Sequence, residues 1–220
     1  MNQVNEILAD IGRAGKNEDG SYTRGCYSPE YFQAVDITED WMRRLGMTTS
    51  RDAAGNLRGV LPGTEPGLKS ILMGSHLDTV PSGGLYDGAY GVAAALEAVR
   101  RLGEEGRRPR HTVEVYGFNA EESNPIGGTF GSRAITGLVD PDQPGLGEGL
   151  ALYGHTVEEI LACRRDFSDA KCYLEAHIEQ GDYLFNEGLK IGVVSGIVGI
   201  IRYRVTALGH SNHAGTTMMK

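Results

Sequence analysis

Lys69–Gly91, KSILMGSHLDTVPSGGLYDGAYG, is the stretch from which the rest of the chain is read. Its apolar run, Ile71-Leu72-Met73, has the length of a buried strand. The run ends at Gly74-Ser75, and His76 and Asp78 follow two residues apart. Extended backbone turns residues i and i+2 to the same side, so an imidazole and a carboxylate share one face at the end of a strand. A Pro/Gly-rich turn then leads to Asp87 in Tyr-Asp-Gly. Beyond it the small residues Gly88, Ala89, Gly91, Ala93 and Ala94 open a helix expected to run to Leu102 and to pack closely on a sheet. Asp87 falls near the N-terminus of that helix, where a carboxylate caps the helix or binds a metal. In an α/β sheet, ligands bind at such strand ends.

Upstream, residues 2–11 have apolar residues at helical spacing, and 12–27 read as a loop. Ser28-Pro29-Glu30 supplies a capping hydroxyl followed by Pro in the first helical position, predicting a helix to about Leu45. Residues 47–61 read as a hairpin turning near Ala54-Gly55-Asn56. Downstream, 111–119 alternate as a strand that ends at Ala120-Glu121-Glu122. Helices are predicted over 129–136 and 156–165, and a strand over 171–178 ending in His177-Ile178-Glu179-Gln180-Gly181. Two further strands are predicted at about 190–195 and 198–208, the second leading into Gly209-His210-Ser211-Asn212-His213-Ala214-Gly215-Thr216-Thr217. Strands alternating with helices indicate an α/β fold with helices on the faces of the sheet.

The chain has 220 residues, a net charge of −8 and 40% hydrophobic residues, enough for one large domain or for one domain with part of another. No Lys/Arg cluster is dense enough to follow a phosphate backbone, so nucleic acid is not an expected partner. No apolar run approaches membrane-spanning length, and a membrane is not expected either. Three widely spaced cysteines, Cys26, Cys163 and Cys172, make neither a disulfide framework nor a thiolate metal site. The expected compartment is the cytoplasm.

Four separate elements therefore end in ligand-type residues: His76, Asp87, Glu121/Glu122 and His177. One histidine after a strand is ordinarily structural, and a Glu-Glu pair is ordinarily solvated surface; their recurrence at one rim of a sheet is what favours function. Mixed imidazole and carboxylate donors without thiolate suit Zn, Mn, Co or Ni. Neighbouring residues in non-helical backbone point in different directions. One of the two glutamates can therefore bind a metal while the other reaches the adjacent water and takes its proton.

Gly74-Ser75-His76-Leu77-Asp78-Thr79-Val80, Tyr86-Asp87-Gly88 with Gly91-Val92, and Glu121-Glu122 together resemble the M20 family of dinuclear zinc peptidases and amidohydrolases. Glu121 to Pro125 running on to Gly131-Ser132-Arg133, His177 to Gly181, and His213 to Thr217 narrow the resemblance to the hydantoinase/carbamoylase branch of N-carbamoyl-L-amino-acid hydrolases and allantoate amidohydrolases. The likeness extends over the chain from about Asp10. It implies a zinc-peptidase-like mixed sheet with helices on both faces, followed by the first strands of an α+β lid and dimerisation domain. It also implies metal-dependent hydrolysis of linear amide C–N bonds in N-carbamoyl or ureido amino acids. On this resemblance His76, Asp87 and His177 hold one metal, with Asp87 bridging to a second that Glu122 binds. Glu121 is the general base acting on the bridging water, and Asp78 orients His76. Gln180 contacts substrate, and His213 stabilises the oxyanion across a homodimer interface. His210 is the competing candidate for that last role. His111 and His155 match nothing.

The expected division is 1–196 for the metal-binding part and 197–220 for the start of the lid. In the family a last histidine ligand, an arginine clamp and the final catalytic elements come from a stretch beyond this one. HAGTT is also usually followed there by Pro-Met, where this chain has Met218-Met219. The expectation is that the 220 residues hold one metal or none in place of two, are nearly inactive by themselves, and self-associate. The competing readings are an M20 aminopeptidase or aminoacylase, against which Asn124-Pro125 and the EQG after His177 argue, and a non-catalytic fragment.

Overall fold

The computed structural model describes residues 3–199, 201, 203 and 205–218. The chain divides into two compact units, the first ending at Ile178 and the second beginning at Glu179. In the first unit α1 (Gln3–Ile11) is followed by α2 (Pro29–Arg44), β1 (Thr48–Arg51), β2 (Leu57–Leu61), β3 (Ser70–His76), α3 (Ala89–Glu104) and β4 (Val113–Phe118). Then come α4 (Phe130–Thr136), α5 (Leu146–Ala151), α6 (Val157–Leu161) and β5 (Ala170–Leu174). The second unit holds α7 (Tyr183–Asn186).

Five strands form one sheet in the order β1-β2-β4-β3-β5. β1 pairs β2 and β2 pairs β4 antiparallel, whereas β3 runs parallel to both β4 and β5. Two local devices start the helices as the sequence implies: the Ser28 hydroxyl accepts from Tyr31 N at 3.1 Å with Pro29 behind it, and Thr156 and Glu159 form a reciprocal capping box. Alternation along the strands then divides the core. Val113 and Val115 of β4 face the cluster built with Ile7, Leu8, Val35, Met42, Val92 and Leu96 of α1–α3. Leu72 and Tyr116 turn to the opposite face, against Ile135 of α4 with Phe118 and Phe167. Helices therefore cover both faces, and the parallel pair β3/β4 is buried between them.

The predicted elements as far as β5 are found, with differences at their ends. α6 stops at Leu161 rather than 165, because Arg165 leaves the helical pattern and its N–H donates to Ile135 O at 2.8 Å. β5 leaves its ladder at Leu174, so Glu175–Ile178 are not strand. α5 was not foreseen: Gly147 and Gly149 mask its pattern, and packing of Leu146 and Leu150 into the cluster around Phe130 supplies what propensity does not. The strands expected over 190–195 and 198–208 are absent among the described residues, and Ile200, Arg202 and Arg204 lie outside them. A strand is held by pairing and by burial of one face. The described residues there are in no ladder, and Val193, Val198 and Val205 are exposed.

Candidate metal centre

Three strand ends and one helix start of the first unit deliver the predicted groups. β3 terminates in His76, which is buried. Asp87 stands just before α3, and Gly88 follows it at φ +63°, a conformation side chains rarely adopt. There the ring of His76 lies against the backbone: an added Cβ would stand 2.5 Å from its Cδ2 and Cε1. β4 terminates at Phe118, and Ala120 at φ +55° turns the chain so that Glu121 and Glu122 leave in new directions. His177 arrives three residues past the end of β5. Asn119, fully buried, anchors the β4 end: its N–H donates to Asn56 Oδ1 at 3.1 Å and its side-chain amide to Ala54 O at 3.0 Å.

Four of the predicted groups meet within ion-pair reach, and Glu122 joins them. Asp87 Oδ1 lies 3.5 Å from His76 Nε2 and 3.3 Å from His177 Nε2, and Glu121 Oε2 is 3.9 Å from His76 Nε2. Two donor clusters follow, His76–Asp87–His177 and His76–Glu121–Glu122, each with its atoms within 4.8 Å of one another. Burial disfavours a charged His76, yet the carboxylates of Asp87, Asp78 and Glu121 outweigh it and hold the imidazole up at about 9. Burial likewise raises the carboxyls of Glu121, Glu122 and Asp78 above their ordinary values, against the pull of His76.

The arrangement fits a divalent cation on its own chemistry. His76 Nδ1 faces the carbonyl oxygen of Asp78 at 2.9 Å, and His177 Nδ1 faces that of Ile178 at 2.9 Å. A carbonyl only accepts, so Nδ1 is the donating nitrogen in each ring, and Nε2 is the atom left to meet Asp87. Both Nε2 atoms lie within 3.5 Å of Asp87 Oδ1, so two imidazoles and a carboxylate converge on a point that a divalent cation can occupy. The two clusters share His76 Nε2, which can ligate one ion.

Asp78 makes two kinds of contact at the site. Its carbonyl fixes the imidazole tautomer, while its carboxylate accepts from Glu121 N at 3.1 Å and Glu122 N at 3.0 Å, clamping the β4 end to the β3 end. Sequence reading also missed Arg24, which sits in a stretch read only as loop. It is fully buried, donates through Nε to Leu77 O at 2.8 Å and through its backbone N–H to Thr79 Oγ1 at 2.9 Å, and so braces the segment around Asp78. A lone arginine in a polar loop carries no signal of burial. Gln180 and His213 belong to the second unit. There Gln180 has φ +57°, and His213 Nδ1 accepts from Gly215 N at 3.1 Å. His111 Nδ1 meets Lys69 O at the surface, and His155 packs on Tyr27.

Residues 56–144, from the turn before β2 to beyond α4, match the model of peptidase family M28. The N-carbamoyl-L-amino acid amidohydrolase of Geobacillus stearothermophilus is 38% identical over 221 residues, which cover 96% of this chain and 54% of that protein. The allantoate amidohydrolase of Escherichia coli (strain K12) is 38% identical over 226 residues, 98% of this chain and 54% of that one. A hydantoinase/carbamoylase family amidase from Burkholderia ambifaria has a crystal structure similar to this one, with TM-score 0.70 and 34% identity over 84% of this chain and 47% of the other. The chain spans about half the length of the curated relatives it matches. These relatives bear out the likeness carried by the motifs.

Proposed function

We infer that the chain belongs to the hydantoinase/carbamoylase family of amidases, and from that premise we propose that its rim of histidines and carboxylates serves hydrolysis of linear C–N bonds in N-carbamoyl or ureido amino acids. The observation that carries this reading is the meeting of His76, Asp87 and His177 around one oxygen, with Glu121 beside them. His76, Asp87 and His177 would hold a divalent cation (Zn, or Mn, Co or Ni), and Glu122 would contribute to a second. Such a cation, when bound, polarises the substrate carbonyl and makes nearby water acidic. Glu121 accepts the proton of the attacking water and returns it to the leaving nitrogen, a task its raised pKa suits. Gln180 is proposed to contact substrate. His213, supplied across a homodimer interface, is proposed to donate to the developing oxyanion. We place the functional boundary at 196/197, keeping Gln180 with the His177 motif, and the protein in the cytoplasm.

Among the described residues the two three-residue donor clusters have His76 in common, so the one imidazole cannot complete both at once. The 220-residue chain alone is therefore proposed to bind one ion and to turn over slowly or not at all. A panel of N-carbamoyl, ureido and N-acyl amino acids and dipeptides, run with Zn(II), Mn(II), Co(II) or Ni(II), tests the reading. Hydrolysis confined to the carbamoyl and ureido members supports it, whereas cleavage of dipeptides or N-acyl amino acids in their place refutes it. Two ions per chain by elemental analysis, or rapid turnover, would overturn the proposal for the chain alone.

A further inference from the structure

Glu175 has no part in the chemistry proposed above, yet it lies between the two strand ends that bear the imidazoles. The β3–β5 register ends at Met73↔Leu174. His76 and His177 each stand three residues beyond that last pair, so the ladder does not set the spacing of their rings, whose centroids are 5.9 Å apart. Burial secures His76, 3% exposed, but much less so His177, 31% exposed. Side chains take over where the ladder stops. Buried Ser75 donates its hydroxyl to Glu175 Oε1, and Tyr173 donates to Glu175 Oε2 at 2.9 Å. Ser75 immediately precedes His76, and Glu175 precedes His177 by two residues. α3 closes over the pair at Gly91, where an added Cβ would stand 2.6 Å from Ser75 Cβ.

We propose that Glu175 is a positioning residue: with Ser75 it makes a side-chain rung that continues the β3–β5 ladder and sets the gap between His76 and His177, and hence the affinity of the centre for a divalent ion. The inference rests on the metal-centre reading above. Its test is the Zn(II) dissociation constant of the 220-residue chain, measured by competition with a chromophoric chelator, together with the visible absorption of the Co(II) form. Glu175→Ala and Ser75→Ala should each weaken Zn(II) about ten- to hundredfold and alter the Co(II) bands. The double variant should lose little more than either single one, since both remove the same rung. Glu175→Gln keeps a carbonyl that accepts from Ser75 and should stay within roughly threefold of the parent.

Unchanged Zn(II) affinity in Glu175→Ala would overturn the proposal. So would a Glu175→Gln variant as weak as Glu175→Ala, because that pattern belongs to charge near the ion rather than to spacing. Should Glu175→Ala fail to fold by circular dichroism, Ser75→Ala and Glu175→Gln decide. The control is His76→Ala. If it binds Zn(II) as the parent does, the metal-centre reading falls and this inference with it. If it loses Zn(II) while the Glu175 variants keep it, only the rung falls.

Discussion

Gly88→Ala attacks the centre without touching a donor. At φ +63° and ψ −54° the backbone lies in a region that costs a non-glycine residue about 1–3 kcal/mol. The new Cβ would also stand 2.5 Å from His76 Cδ2 and Cε1, where ordinary contact begins near 3.4 Å, so the ring has to move by about 1 Å. His76 is buried and its Nδ1 is held by Asp78 O at 2.9 Å, so the move breaks that bond, for about another 1 kcal/mol. The total is roughly 2–4 kcal/mol, a fall in melting temperature on the order of 10 °C for a chain of this size. Zn(II) affinity should fall as well, since Nε2 turns away from Asp87. Calorimetry and chelator competition read the two effects separately. Gly88→Ala with parental melting temperature and parental Zn(II) affinity would show that the ring does not rest on this backbone, and would refute the account of how His76 is aimed.

Asp78→Asn replaces one oxygen that accepts a backbone N–H with an NH₂ that cannot, leaving Glu121 N or Glu122 N unpaired. We expect about 1–3 kcal/mol lower stability in urea unfolding, and faster amide exchange at residues 121–122; unchanged exchange there would contradict the clamp. On the opposite face of β4, Glu114 is buried, which works against its charge, but Arg165, Arg58 and Tyr116 reverse this and hold its carboxyl at about 2, with Arg58 Nε at 2.7 Å and Tyr116 Oη at 3.0 Å. Its folded value is below its unfolded one, so its contribution is full above about pH 4.5 and is lost as pH falls towards 2. Glu114→Gln should lower stability at neutral pH and flatten its fall between those limits. Parallel stability–pH curves for parent and variant would count against the ion cluster.

Much of this site was legible because its residues sit where periodic sequence stops. The alternation over 111–119 and the apolar run over 71–73 mark strands whose ends are recognisable, and His76 and Glu121 fall just past them. Tyr86-Asp87-Gly88 announces itself by a glycine, and the structure supplies the reason in the φ +63° that Gly88 must adopt. What stayed hidden is whatever depends on partners far apart in sequence. Arg24 is buried through contacts with residues 77–79, and nothing in residues 12–27 foretells it. The strands expected over 190–208 are absent among the described residues for the converse reason: β-branched composition states a preference, while a strand exists only with a neighbour.

Asp78 shows the same limit inside the motif. The two-residue spacing from His76 puts both side chains on one face, and the family resemblance implies that Asp78 orients the ring. In the structure the backbone carbonyl of Asp78 meets the ring at 2.9 Å, while its carboxylate, 3.7 Å from the same nitrogen, takes the two N–H groups that follow β4. Parallel strands β3 and β4 end side by side, with His76 paired to Phe118, so the chain after β4 emerges next to Asp78 with its first amides unpaired by any ladder. A carboxylate at that position satisfies both amides, and it fixes Glu121 and Glu122 relative to His76. Glu121 and Glu122 are thereby tied to His76 through one side chain, which joins the H-x-D segment and the adjacent glutamates, far apart in sequence, into one piece.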